Sequence, residues 1–460
     1  MPTPADLFLS PDLTESQARE YLQSLGFRDP AVADDHLQKM AEDLVVREAL
    51  GRLAPDLIPS LLESPDPDAA LAGLSHYVAA RTGRAMFLDY LREDPRALHV
   101  LTYVLGASPP LSEVLIRTPE YFHWLVAQIE RSAPDRQDHE EELVSVFSSV
   151  DDPADALNIL RRWKRREVLR IGTRELLRRE TVQTVAMQLS DIACVAVDFA
   201  LAIVMRQLLE AEGRQSMPGR FAVVGTGQLG AQEISYTSPL DLLYVYDTTG
   251  AEHEDLSAQT FFTTAGSHLT EALKDETRDG QLYDVALRAY PQADGRLTAC
   301  SLEEYAEHLS GPVDLRERER LTRTCAAAGD TDLGTRLISS IQQIVYPPRA
   351  SASAQGATAD KPIPSDPPYA DIDRLAHGFQ LSHGAAHAAL RGAGTLAALD
   401  AMCKAGLIEE SARRELDHAY IFLRSAEHRM QLGVPENLEQ QLGASRERVR
   451  EICRSIVDGP

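Results

Sequence analysis

The stretch FAVVGTGQLGAQEISYTSPLDLLYVYD, residues 221–247, leaves a folding chain few choices. Residues 221–227 and 241–247 are apolar runs of strand length, rich in β-branched and aromatic side chains. Between them Gly225-Thr226-Gly227-Gln228-Leu229-Gly230 spells G-x-G-x-x-G, and an acid, Asp247, follows at roughly the spacing of a dinucleotide fingerprint. Spacing excludes that reading. A crossover between parallel strands needs about a dozen residues or more. Only ten separate Gly230 from Asp241, and Ser235, Thr237, Ser238 and Pro239 are among them. The segment has room for a turn of helix before the next strand begins. The arrangement is strand, glycine turn, short helix, and a second strand that opens on a carboxylate.

Around this stretch the pattern is helical. In LAPDLIPSLLESPDPDAALAGLSHYVAARTGRAMFLDYLRED apolar residues recur at three and four, broken by Pro-containing turns. A basic run, RRWKRREVLRIGTRELLRRE, precedes an amphipathic helix carrying Val182, Val185, Leu189, Ile192, Ala196, Phe199 and Ile203 on one stripe. After the second strand come a helical segment, AQTFFTTAGSHLTEALKDE, and a third strand candidate, LYDVALRAY. Residues 347–368 are rich in Pro, Ala and Ser and read as a flexible loop; from about Ile372 to Cys453 the pattern is helical again.

Charge and cysteine usage narrow the function classes. With 46 Lys and Arg against 70 Asp and Glu, and a formal charge of -24, the chain lacks the basic surplus on which phosphate-backbone affinity depends. Nucleic acid is not its expected partner. Five widely separated cysteines outside any C-x-x-C spacing fit a reducing compartment and no structural zinc site. No basic-then-apolar leader opens the sequence, and no apolar run reaches the roughly 20 residues that span a bilayer, so the expectation is a cytoplasmic protein with no membrane partner.

The strand–turn–strand layout is that of polymerase-beta-like nucleotidyltransferases, which hold divalent metals with two acids at i and i+2 of one strand and a third acid on a neighbour. More specifically, GTGQLGAQEISYTSPLDLLYVYD resembles the signature G-x-G-K-L-G-G-x-E-L-x-x-x-S-D-x-D-L of the glutamine synthetase adenylyltransferase/deadenylylase family. GQLYDVALRAYPQADGRL is similar to that family's G-x-L-Y-x-V-D-L-R-L-R-P-x-G-x-x-G segment. The basic stretch RRWKRREVLRIGTREL, the helical GASPPLSEVLIRTPEYFHWL and AYIFLRSAEHRMQL resemble its flanking regions in the same order.

The resemblance implies an α+β, mostly α-helical chain: a small mixed β-sheet nucleotidyltransferase core between N-terminal and C-terminal helical bundles. The expected limits are 1–175 for the first helical region, 176–315 for the core and 316–460 for the C-terminal bundle with its loop. The family carries two such units in tandem, one attaching AMP to glutamine synthetase and one removing it; this chain has the length of one.

Carried over residue by residue, the signature is incomplete. Asp241 retains the second acid of the pair, Pro239 replaces the first, and Ala286 replaces the third. Gln228 stands for the lysine of the glycine loop, and Ala231 for its second consecutive glycine. A later family motif, G-G-I-R-D-I-E-F, has its counterpart in PYADIDRLAHGFQL, with Asp371 and Asp373 but neither the Gly pair nor the Arg.

Asp241 is the implied catalytic and metal-holding acid. Asp284, two residues before Ala286 and on the strand face of Arg288, is the substitute metal ligand; Glu233 and Asp247 are further options. The implied nucleotide contacts are Gly225, Gly227, Gln228, Gly230, Ser238 and Arg288. Outside the motif, His383 and His387 share an i, i+4 spacing, while Trp124 and Trp163 read as core.

Three functions remain open to such a chain. The first is a catalytically impaired relative that binds glutamine synthetase or a full-length modifying enzyme as a regulatory scaffold. The second is an active enzyme using ATP and Mg²⁺ at an altered metal site to transfer or remove AMP on a tyrosine. The third is a helical interaction protein without nucleotide. Losing charge-stabilising groups at a phosphoryl-transfer centre costs orders of magnitude in rate, which favours the first.

Overall fold

The computed structural model describes residues 2–150, 152–248, 256–287, 299–311, 315–346, 367–435 and 438–458. The chain divides into two compact units. The first comprises Met1–Ala133, Arg165–Thr181 and His428–Asn437; the second comprises Pro134–Lys164, Val182–Glu427 and Leu438–Pro460.

In the first unit several prolines mark helix starts, whereas Pro55 and Pro59, in the stretch expected to be broken by Pro-containing turns, lie inside one helix, Leu44–Leu62. Helices Pro30–Met40, Pro67–Ala80, Pro95–Ala107 and Pro109–Arg117 each open on proline. The residue before each, Asp29, Asp66, Asp94 or Ser108, accepts a first-turn backbone N–H. Proline lacks the N–H that this position leaves unpaired, so the dipeptide starts a helix at little cost. The apolar stripes then pack as a helical core around Leu50, Leu53, Leu57, Leu74, Tyr77 and Leu101, all sealed from solvent.

The second unit holds a mixed sheet. Its strands are β1 (Arg220–Thr226), β2 (Leu240–Asp247), β3 (Val285–Leu287), β4 (Cys300–Ser301) and β5 (Thr324–Gly329). The order is β3-β2-β1-β5, with β4 also pairing β2. β1 is antiparallel to β2 and to β5, while β3 and β4 run parallel to β2. The antiparallel β1–β2 pair is what the short connection demands, since no crossover fits it.

Alternation along the strands builds two apolar faces. Ala222, Val224, Leu243 and Val245 pack with Leu333, Leu337 and Ile341 of helix Thr331–Val345. On the other face Phe262 of helix Leu256–Lys274 stacks on Phe221 and Tyr246, with ring centroids 5.7 and 5.3 Å away. Helices Ala370–His383, Thr395–Lys404, Glu410–Gln431 and Glu439–Asp458 contribute a separate cluster around Leu399, Met402, Leu416 and Leu423.

The α+β, mostly helical expectation agrees with this architecture, and several finer readings change. β5 lies beyond residue 315, the expected end of the core, because the alanine-rich TCAAAG does not advertise a strand. The third strand candidate is described only as Val285–Leu287; its remainder, including Arg288, lies outside the described residues. So does the expected loop 347–368, apart from Pro367 and Pro368.

Helix Val182–Glu212 is long and apolar enough to cross a membrane by length and composition, with a window of mean hydropathy 2.0 and with Asp191 and Asp198 interrupting its apolar run. Two-thirds of that window is buried, and the helix packs on β5 and on helix Leu256–Lys274. It is the one such helix among the described residues.

Candidate functional site

The glycine turn caps β1. Gly227 begins a single helical turn, Gly227–Gly230, with φ +59°, a left-handed conformation open to glycine at little cost. A Cβ there would lie 3.2 Å from Asp241 Oδ2, so the turn rests against the carboxylate that opens β2. Gly230 is required for a different reason. A Cβ on it would sit 2.3 Å from the carbonyl oxygen of Arg323, just ahead of β5. One glycine shapes the turn and the other lets two backbones touch.

Register then sets what faces Asp241. Thr226 of β1 pairs with it on one side and Ala286 of β3 on the other. Ala286 therefore occupies the strand position adjacent to the retained acid, where it offers a methyl group. Asp284 lies at the entrance of β3, exposed, with its carboxylate accepting from the Val285 N–H at 2.9 Å and 3.9 Å from Lys274 Nζ. Asp247 is six residues further along β2, buried and paired with Arg336 at 2.6 Å, which puts it about 20 Å from Asp241.

A cavity of about 270 Å³ adjoins the turn, lined by Gly227, Gln228, Pro239, Asp241, Arg323, Asp373 and His377. Arg323, 1% exposed, is its principal buried charge. Its Nη1 donates to Glu233 at 3.1 Å and to Asp373 at 3.0 Å. Thr395 ties the same two acids together: its hydroxyl donates toward Asp373 and Glu233 at 2.5 and 3.0 Å, and its N–H donates to Glu233 at 2.7 Å.

Burial and charge pull these groups in opposite directions. Burial pushes the Glu233 carboxyl up, against the attraction of Arg323. Burial also works to raise Asp373, but Arg323, His377 and Thr395 together outweigh it and hold that carboxyl below its usual range. Burial disfavours the Arg323 charge, and the two carboxylates more than restore it. His377, buried and then repelled by Arg323, is pushed down to about 3, so its ring is neutral. Its Nδ1 lies 2.7 Å from the Thr322 hydroxyl.

Gln228 is equally committed. Its amide donates to the Tyr369 hydroxyl and accepts from Ser238 at 2.9 Å. Tyr369 also accepts from the buried Arg424 at 2.9 Å, and Arg424 donates onward to the carbonyls of Glu233 and Ile234. The residue standing for a phosphate-binding lysine is thus part of a bracket holding the glycine turn and residues 233–238 to the C-terminal helices of this unit.

The structure brings Asp241, Gly227 and Gln228 to one cavity, with Gly230 and Ser238 one contact behind, and does not bring Asp284 there. Asp373 joins it from helix Ala370–His383. Arg323, His377, Tyr369 and Thr395 escape sequence reasoning; the signal available was one arginine ahead of an alanine run and one tyrosine after a proline-rich segment. The basic run around Arg161–Arg170 makes internal contacts. In the second unit Arg162 pairs with Asp279 at 2.8 Å, and Lys164 donates to the Leu282 carbonyl at 2.6 Å; in the first, Arg170 pairs with Glu167 at 2.8 Å. His383 ends its helix and His387 lies beyond, with ring centroids 6.4 Å apart. Trp163 is buried and Trp124 half-buried.

A paired-ion site holds its metals about 4 Å apart between shared carboxylates. Here two carboxylates, those of Asp241 and Asp373, line the cavity, and Asp373 is already engaged by Arg323 and Thr395. The described donor set does not fit two Mg²⁺ ions.

A glycine turn packed against the acid that opens an antiparallel neighbour, with a parallel strand beyond, is the layout expected of a nucleotidyltransferase core. The sequence model described as glutamate-ammonia ligase adenylyltransferase matches residues 98–339, more than half of the chain, and one described as GlnD PII-uridylyltransferase matches residues 370–456. The chain belongs to the glutamate-ammonia ligase adenylyltransferase family.

Among its relatives are proteins named bifunctional glutamine synthetase adenylyltransferase/adenylyl-removing enzyme. That of Chromobacterium violaceum is 26% identical over 474 residues, covering 97% of this chain and 52% of its own length. That of Thioalkalivibrio sulfidiphilus is 26% identical over 490 residues, covering 97% and 50%. That of Nocardia farcinica is 29% identical over 352 residues, covering 75% and 34%. The chain spans about half the length of the first two and a third of the last.

Proposed function

We propose that this chain is an adenylyltransferase-like protein that has lost efficient AMP transfer and acts as a binding or regulatory scaffold on glutamine synthetase or on a full-length modifying enzyme. The observation that carries the reading is the pairing of Asp241 with Ala286 across β2 and β3, with Pro239 at the cavity rim. Stabilising the charge that builds up in phosphoryl transfer relies on positioned metals and donors. At this cavity the retained acid lacks its neighbours, and the loop glutamine is spent on Tyr369 and Ser238. The Gly225–Gly230 turn would still approach a nucleotide phosphate if ATP binds.

The test is to incubate the purified chain with labelled ATP, Mg²⁺ or Mn²⁺ and glutamine synthetase, and in parallel to capture glutamine synthetase on the immobilised chain. The expected outcome is capture without labelling. Robust labelling that Asp241→Asn abolishes would sink the impaired reading.

That result would instead support a second reading, an active nucleotidyltransferase with an altered site for Mg²⁺ and ATP. It is favoured by the presence of Asp373 in the same lining as Asp241. In that case Asp241→Asn and Asp373→Asn would each remove activity.

A further inference from the structure

In the first unit a second pocket, about 150 Å³, opens to solvent between helices Pro30–Met40, Pro67–Ala80 and Arg84–Glu93; His36 in it is half-buried, and Lys39, His76 and Arg84 are exposed. Its polar lining is His36, Lys39, Ser75, His76 and Arg84, and no acid contributes to it. That is unusual on a chain of net charge -24. The volume corresponds to about five waters of liquid, enough for one small polyatomic ion.

Three further features point to an anion. His36 Nδ1 is sealed from solvent and has no hydrogen-bond partner. A buried polar nitrogen without a partner costs roughly 1–3 kcal/mol, and a turn of the half-buried ring toward the pocket would let an occupant satisfy it. The two imidazoles meet edge to face with centroids 5.9 Å apart. Burial first, then the neighbouring His76, depress the His36 pKa, and a bound anion would reverse that push. Finally, helix Arg84–Glu93 starts after Gly83, which gives no side-chain cap, so the positive end of the helix dipole lies beside the pocket without a fixed acid.

We propose that this pocket binds a single phosphate group. Lys39 and Arg84 supply permanent charge from two helices, and the His36 and His76 rings supply N–H donors. A phosphate suits this set better than a lone carboxylate, because its oxygens can meet donors arriving from three helices at once. Around His36 the charged neighbours are Asp35 and Lys39 on its own helix, His76 on the second and Arg84 on the third; Asp35 is already paired with Lys39 at 2.7 Å.

The test uses the full chain and NMR of its histidine rings, assigned through His36→Gln and His76→Gln, during titration with inorganic phosphate and, separately, ADP. The expected result is saturable shifts confined to His36 and His76, with the His36 titration midpoint moving up. Lys39→Gln is expected to weaken phosphate roughly tenfold, a cost of about 1.4 kcal/mol. Lys404→Gln, the same charge change on an exposed lysine of the other unit, should leave the affinity as it was. Response to phosphate alone assigns the free ion; response to ADP as well assigns the phosphate group of a larger molecule. Absence of saturable shifts at His36 and His76 up to about 10 mM phosphate, or equal weakening by both lysine variants, overturns the proposal.

Discussion

Replacing Arg323 by methionine removes the cation that Glu233 and the cavity-lining Asp373 share. The guanidinium is 1% exposed and makes ion pairs of 3.1 and 3.0 Å to Glu233 and Asp373, whose side chains are 16% and 19% exposed. Deleting one partner of a buried ion pair costs about 3–5 kcal/mol, because the remaining charge keeps its desolvation penalty and loses its compensation. For a unit of this size that corresponds to a fall in its melting temperature of about 5–8 °C.

The sign with pH follows from the acids. In the native chain Asp373 is depressed, so its stabilising contribution is present above the unfolded carboxylate value and is lost as pH falls through its lower folded value. Without Arg323 both carboxyls should sit above their unfolded values, and protonation should relieve the strain. The deficit of Arg323→Met is therefore largest near pH 7 and shrinks toward pH 5. Adding Glu233→Gln and Asp373→Asn should recover much of it at pH 7, since apolar or neutral replacements of whole buried ion clusters are tolerated. Thermal or urea unfolding, followed on the sheet-containing unit, measures all of this. A single variant within 1 kcal/mol of the parent, or a deficit that grows on acidification, would refute the account of the cluster.

Other consequences of the structure can be measured independently. Gly230→Ala should destabilise by about 1–3 kcal/mol, because its Cβ would meet the Arg323 carbonyl at 2.3 Å, whereas Gly443→Ala, with open space around it in helix Glu439–Asp458, should stabilise by about 0.5–1 kcal/mol; opposite signs in urea melts are the readout. His377, pushed down to about 3, should show no ring titration between pH 5 and 8 by NMR. Because the unfolded chain takes up a proton there near pH 6.5 and the folded chain does not, this residue should cost stability at about 1.4 kcal/mol per pH unit below 6.5, an effect absent in His377→Gln. Pro239→Asp with Ala286→Asp places acids around Asp241 from the strand entrance and from a neighbour about 4.8 Å away, and should tighten Mn²⁺ binding at least tenfold by water-proton relaxation; unchanged binding would show that more than these two positions separates the cavity from an ion site.

Local rules already determine much of this protein. Ten residues between Gly230 and Asp241 forbid a crossover, so β1 and β2 had to pair antiparallel, and Asp29-Pro30, Asp66-Pro67 and Asp94-Pro95 mark helix starts through capping chemistry confined to adjacent residues. The resemblance to the family signature identifies Asp241 and the replacements at Pro239 and Ala286, and a strand's period of two ties their spacing to facing. β5 was not legible in this way. TCAAAG has weak intrinsic strand preference, and it is a strand because β1 presents an unpaired edge and helix Thr331–Val345 covers it.

The cavity chemistry was hidden for a related reason. Arg323, Tyr369, Asp373, His377 and Thr395 lie up to about 170 residues from the glycine turn, and nothing short-range says that they meet. Their protonation and hydrogen bonds depend on burial and on charges brought close only when the C-terminal helices of the second unit pack beside the sheet. Sequence determined which acids the strand pair could offer; tertiary packing decided that one of the cavity carboxylates would be engaged by a buried arginine.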